Sequence, residues 1–240
     1  MIWRFAFYSV CLLLAACGLA DDTPAYRYRL TVEIDTPEGV KAGSSVIEVD
    51  THVAGEYSIP TPGRVTNRVR GEAVAVDLGN GRVLFALLRS EADTDWAGRV
   101  AYRLSPQYTG ESAFRDTFRN MLRHRPERTV PRYFSRRDRM DRRLAYPMLV
   151  TFSDLDEPTS VERVDPDDLA ATFGEGISLK RITVQITDDP VTSSIGGRLG
   201  WMGQYRKRHF DGTSTVSEDL TTDSLAAHFS AGTFSTEFAR

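Results

Sequence analysis

The sequence predicts an α+β fold: an antiparallel β-sheet of hairpins and meanders with two or three short helices. Three observations carry that expectation. Residues 26–35 alternate apolar and polar side chains, the period of a half-buried strand. A Gly-Asn-Gly link near residue 80 joins two apolar segments, the signature of a tight hairpin. Two later segments repeat apolar residues at helical spacing and carry helix-end residues.

In "YRYRLTVEID", Tyr28, Leu30, Val32 and Ile34 share one face and Arg27, Arg29, Thr31 and Glu33 the other. Pro37-Glu38-Gly39 is a turn signal, and "SVIEVDTHV" follows with Ile47, Val49 and Val53 on one face. The two segments predict an antiparallel hairpin with a loop of several residues. "GEYSIPTPG" reads as a loop. "NRVRGEAVAVDL" and "RVLFALLR" read as one strand each, joined by Gly79-Asn80-Gly81. Residues 83–88 are apolar on both faces, which predicts a central strand covered on both sides. The first 90 residues then form a meander-like sheet.

Helical spacing begins at "SAFRDTFRNMLRHRP". Phe114, Phe118 and Leu122 stand four apart, Ser112 is placed to cap the helix, and Pro126 stops it. Arg115, Arg119 and Arg123 form a parallel stripe about 100° further round. The arginine-rich stretch near 126–143 has few apolar residues and reads as an exposed basic loop. "YPMLVTF" is a strand. "DPDDLAATFG" predicts a short helix with Asp165 as N-cap, Pro166 in its first position and Gly174 at its end. "ISLKRITVQIT" is a strand with Ile182, Val184 and Ile186 inward, a short helix is expected near Ser193 to Leu199, and Leu225 to Phe229 is ambiguous. Residues 26–240 show no internal repeat and no clean linker, so one domain is expected.

The N-terminus carries a different signal. Arg4 precedes an apolar run from Phe5 to Leu14, too short for the roughly 20 residues of a membrane span. Leu14-Ala15-Ala16-Cys17 resembles the lipobox of bacterial lipoproteins. That resemblance implies a signal peptide at 1–16, cleavage before Cys17, a diacylglyceryl group on its sulfur, and a tether at 17–25. Gly18, rather than Asp, follows the cysteine, which in that family favours the outer membrane over the inner. Gly18-Leu19-Ala20 would alternatively suit an ordinary signal peptidase cutting after Ala20.

The chain has two cysteines, Cys11 and Cys17, so a domain beginning after them has neither disulfide nor thiol, which excludes cysteine zinc sites and thiol catalysis. The net charge is −3, with 30 basic residues, nearly all arginine, against 33 acidic ones. The charges are segregated: residues 115–143 hold eleven arginines against four acids, and residues 154–189 hold ten acids against three bases. The two blocks are expected to meet and neutralise each other. With export and an acidic net charge, nucleic acid is not an expected partner.

Chemical motifs are few. No G-x-S-x-G elbow, H-E-x-x-H pair or phosphate-binding glycine loop occurs. His52, His124, His209 and His228 are far apart and read as surface or loop residues. "SDLDEP" and "VDPDD" lack EF-hand spacing, so no metal and no cofactor are expected. The basic-aromatic "YRKRHF" reads as plain surface. The Arg115, Arg119 and Arg123 stripe is the one segment suggesting an anionic lipid or partner contact.

"YRYRLTVEIDTPEGVKAGSSVIEV", "RGEAVAVDLGNGRVLFALL" and "VDPDDLAATFG" with "LKRITVQITDDPVT" resemble blocks of a family of exported Gram-negative proteins to which no activity is assigned. The resemblance implies a folded envelope domain and no particular chemistry. The expected function is a non-enzymatic binding, scaffold or accessory module, attached to the membrane through Cys17 and facing an envelope protein partner. The alternative is a hydrolase-like envelope enzyme whose site forms only in three dimensions. The oligomeric state is left open.

Overall fold

The computed structural model describes residues 23–55, 61, 63–134, 143–214 and 224–239. The chain opens with β1 (Tyr26–Thr36) and β2 (Gly39–Val53), paired antiparallel from Tyr26↔Val49 to Thr36↔Gly39. Tyr28, Leu30, Val32 and Ile34 are fully buried, as the alternation predicts. The link is only Pro37-Glu38, because Gly39 at φ +114° turns straight into the return strand; the longer loop expected there does not form. Val53 is exposed rather than inward, since β2 runs past the start of β1 at this end.

β3 (Val65–Arg70) pairs with β2, and then the chain changes sheet. The single strand expected over residues 67–78 is broken at Gly71, which has φ +151° and passes so close to β2 that an added Cβ would lie 3.1 Å from the Ile47 Cα. β4 (Val74–Gly79) and β5 (Arg82–Ala86) form the expected hairpin, with Asn80 at φ +54° in its tight turn. Two helices follow, α1 (Trp96–Leu104) and α2 (Ala113–Arg123). Then come the short strands β6 (Arg128–Thr129), β7 (Tyr133–Phe134) and β8 (Arg143–Leu144), and β9 (Leu149–Phe152) and β10 (Val161–Arg163). The remaining elements are α3 (Leu169–Phe173), β11 (Ser178–Thr187), α4 (Ile195–Arg198), α5 (Leu225–His228) and α6 (Ala231–Phe234).

The strands form a five-stranded sheet in the order β3-β2-β1-β11-β6, a four-stranded sheet in the order β10-β9-β5-β4, and the small β7-β8 pair. The inner face of the first sheet packs on one face of the second: Leu30, Ile47 and Ile182 share a core with Val76, Leu84 and Leu149. The other face of the second sheet, through Val83, Phe85, Val150 and Phe152, is covered by the C-terminal segments, which bring Met202, Phe210, Phe229 and Phe234. The twofold period of β5 therefore feeds two cores, as its double-sided apolar character predicts. The fold is α+β and mostly sheet.

The described residues hold six short α-helices, more than the two or three expected. α3 is capped by Asp168, whose carboxylate accepts from the Ala171 N–H at 3.1 Å; Asp165, the expected cap, instead accepts from the Asp167 N–H and shapes the turn before the helix. Ser112 stands at the start of α2, but its hydroxyl donates to Asp116 rather than capping the backbone.

The basic segment near 126–143 is more ordered at its ends than an exposed loop would be. β6 pairs with β11, Val130 is buried, and Arg132 donates two bonds to Asp167 at 2.7 and 3.0 Å while lying over the rings of Tyr133 and Tyr146. Residues 135–142 lie outside the described residues. Arg132–Asp167 and Arg125–Asp188 join the basic block to the acidic one, the neutralisation its charges predict.

Candidate functional site

A cavity of about 310 Å³ opens between α1, α2 and the β1–β3 side of the first sheet. That is at the lower end of small-molecule sites. Its position follows from how α1 is fastened. The Trp96 indole N–H donates to the Ala145 carbonyl at 2.7 Å, and the Tyr28 hydroxyl donates to the Ala97 carbonyl at 2.8 Å. Both side chains are fully buried, so α1 is pinned at its first turn from two sides. Gly98 then lies against β3, where an added Cβ would come within 2.7 Å of the Asn67 Cβ.

The walls are aromatic. Phe118 of α2 meets Tyr26 of β1 edge-on at 5.5 Å, and Phe114 tilts against Tyr102 of α1 at 5.2 Å. Burial pushes the Tyr26 phenol well above its ordinary range, so it is neutral at any physiological pH. The strand side contributes Val65, and a polar pair in which the Thr51 hydroxyl donates to the Asn67 side-chain oxygen at 3.0 Å. Arg99 and Arg103 stand at the α1 side, held by Asp93 at 3.0 and 2.9 Å; Arg99 also reaches Asp95 at 2.7 Å. Arg103 lies over the Phe134 ring at 5.6 Å.

The cavity sits beside the point where the chain joins the fold. Thr23, the first described residue, is buried, and its hydroxyl donates to the Thr51 carbonyl at 2.9 Å. Thr51 and Tyr26, three residues on from Thr23, both line the cavity.

The residues singled out by sequence take these places. Phe114 and Phe118 turn inward as cavity walls, while Arg115, Arg119 and Arg123 project outward and are exposed. Arg119 lies 3.4 Å from Asp116, one turn away on its own helix. The lipobox residues, Cys17 included, lie outside the described residues. Of the histidines, expected on the surface or in loops, His209 lies outside the named strands and helices but is buried, with Nδ1 3.2 Å from the Thr213 hydroxyl. Among the described residues, no group of three or more His, Cys, Asp or Glu is arranged to hold a metal, and no helix is long and apolar enough to cross a membrane. Sequence reasoning missed α1 altogether, although Trp96, Val100 and Leu104 stand four apart. It also missed Thr51, Asn67 and Tyr102, because a wall shared by three strands and two helices leaves no local pattern.

Chemically, the arrangement can shelter an apolar group among aromatic rings, with guanidinium groups at one side. Among the described residues, no His, Cys, Asp or Glu lines it. Compared with protein-family models, with the curated proteins and with the solved structures, the chain matches none.

Proposed function

We propose that this protein is a lipid-anchored module of the bacterial cell envelope that binds its ligand without transforming it, and that the ligand is an acyl chain of a membrane lipid. One observation carries the reading: the aromatic cavity lies next to the first residues of the fold. With Cys17 lipidated, as its resemblance to a lipobox implies, only six residue steps separate the anchor from Thr23. Six steps reach about 21 Å at most. The cavity mouth is then held close to the acyl layer, and an apolar lining there has lipid as its nearest apolar ligand. The blocks resembling exported envelope proteins support the same location.

Two measurements test this. Metabolic palmitate labelling should mark the wild type and not Cys17→Ala; label retained in the variant defeats the anchor. For the cavity, a dansyl-labelled undecanoic acid should bind the detergent-purified full chain saturably. Val65→Trp should abolish that binding, because residue 65 is 40% exposed and can carry a ring into the cavity without opening the core. Saturable binding unchanged by Val65→Trp would place the ligand elsewhere.

A further inference from the structure

On the opposite side of the second sheet, where β5 gives way to the loop before α1, a cleft of about 390 Å³ is lined by Arg89 and Arg206. Among the described residues, none of its lining side chains is acidic. Other arginines of the fold have a visible counterpart: Arg132 has Asp167, Arg99 and Arg103 share Asp93, and a terminal nitrogen of Arg82 donates to the Phe173 carbonyl. Arg89 is half-buried, and its Nε is enclosed and makes no hydrogen bond, as is also true of the Arg82 Nε. A guanidinium keeps its charge at any physiological pH, so Arg89 presents a cation to the cleft.

Arg206 approaches from the C-terminal side. Its guanidinium stacks over the Phe238 ring at 5.1 Å and makes only a long contact, 3.5 Å, with the Glu237 carbonyl. The stack orients the group and leaves most of its donors unused. Thr94 adds a hydroxyl to the lining. Ser230 and Thr233 are already committed, each closing the first turn of α6 through the other's backbone.

We propose that this cleft is an oxyanion site of the phosphate class, with Arg89 and Arg206 as its two cationic ligands. Two guanidinium groups match the charge of a phosphate monoester, about −1.5 to −2 near neutral pH, better than that of a single carboxylate. The site is separate from the aromatic cavity and does not depend on the function proposed for it. Its phosphate can come from a soluble monoester or from a lipid headgroup.

Calorimetric titration of inorganic phosphate into the full chain, in detergent and phosphate-free buffer, tests the site. Saturable binding is expected, weakened at least tenfold by Arg89→Met and by Arg206→Met. Residue 206 is exposed, so its variant keeps the test valid if Arg89→Met does not fold. In phosphate-free buffer Arg89→Met should melt close to the wild-type temperature, because none of the hydrogen bonds or ion pairs described for the fold is made by the Arg89 side chain. A lowered melting temperature there would make Arg89 a structural residue, and non-saturating heats, or heats unchanged in both variants, would overturn the proposal. Competition by vesicles containing phosphatidic acid identifies a lipid headgroup as the source; absence of competition identifies a soluble phosphate.

Discussion

The two faces of the four-stranded sheet are packed in different ways. Toward the C-terminal segments the core is a web of rings: Phe234 alone lies within 5.7 Å of Phe85 and 5.6 Å of both Phe152 and Phe210, centroid to centroid. Toward the five-stranded sheet the core is aliphatic at its centre and aromatic at its rim, where α1 and α2 close over it and leave a cavity. Rings that interlock on all sides fill space. Rings carried by two short helices, meeting strands on one side only, leave space between them. The first face is built for stability and the second can admit a guest.

The sharpest way to break this comparison is to remove a ring from the filled side. Phe234→Ala should cost about 3–5 kcal/mol, the range for deleting a buried aromatic side chain, read from chemical denaturation. A loss under about 1 kcal/mol would mean that the C-terminal web collapses freely and is no better packed than the cavity side.

A smaller effect is expected where the helical lid meets the strands. Gly98→Ala forces a Cβ toward Asn67 and should cost about 1–3 kcal/mol, typical of overpacking. Trimming the neighbour in Gly98→Ala/Asn67→Ala should recover most of that loss. Without recovery, the close approach of α1 to β3 is not what positions the lid.

The smallest expected effect concerns the hydroxyl that fastens the lid. Tyr28→Phe loses the bond to the Ala97 carbonyl and should cost about 1 kcal/mol. The same residue sets an alkaline limit. Burial raises the phenols of Tyr26 and Tyr28 above their ordinary value near 10. The unfolded chain therefore loses these protons first, so stability is intact below about pH 10 and falls as pH rises further. Melting temperatures taken from pH 8 to 11 should show this decline, and Tyr28→Phe should make it shallower. An unchanged slope would assign the alkaline limit to other groups.

Much of the strand architecture was legible because it is written locally. The alternation in β1, the double-sided β5 and the Gly79-Asn80-Gly81 turn each state their geometry within a few residues. The change of sheet at Gly71 was not legible, since residues 67–78 read as one continuous strand and only the contact with Ile47, 24 positions earlier, interrupts it. The cap of α3 was misplaced by three residues because four aspartate and proline side chains in a row offer several equivalent starts, and backbone geometry selects Asp168. Of the cavity, only Phe114 and Phe118 were visible, as a stripe whose destination the sequence does not state. Arg89 looks like any other arginine until the fold sets it in one cleft with Arg206.

The crossover at Gly71 is closed by residues from the far end of the chain. The Gly71 N–H donates to the Thr236 hydroxyl at 2.9 Å across 165 positions, and the Ala73 N–H donates to the Phe234 carbonyl at 2.7 Å. The junction between the two sheets is thus sealed only once residues 234 and 236 are in place. Folds dominated by such distant pairings form slowly. A junction that waits for so distant a partner is expected to close late in folding.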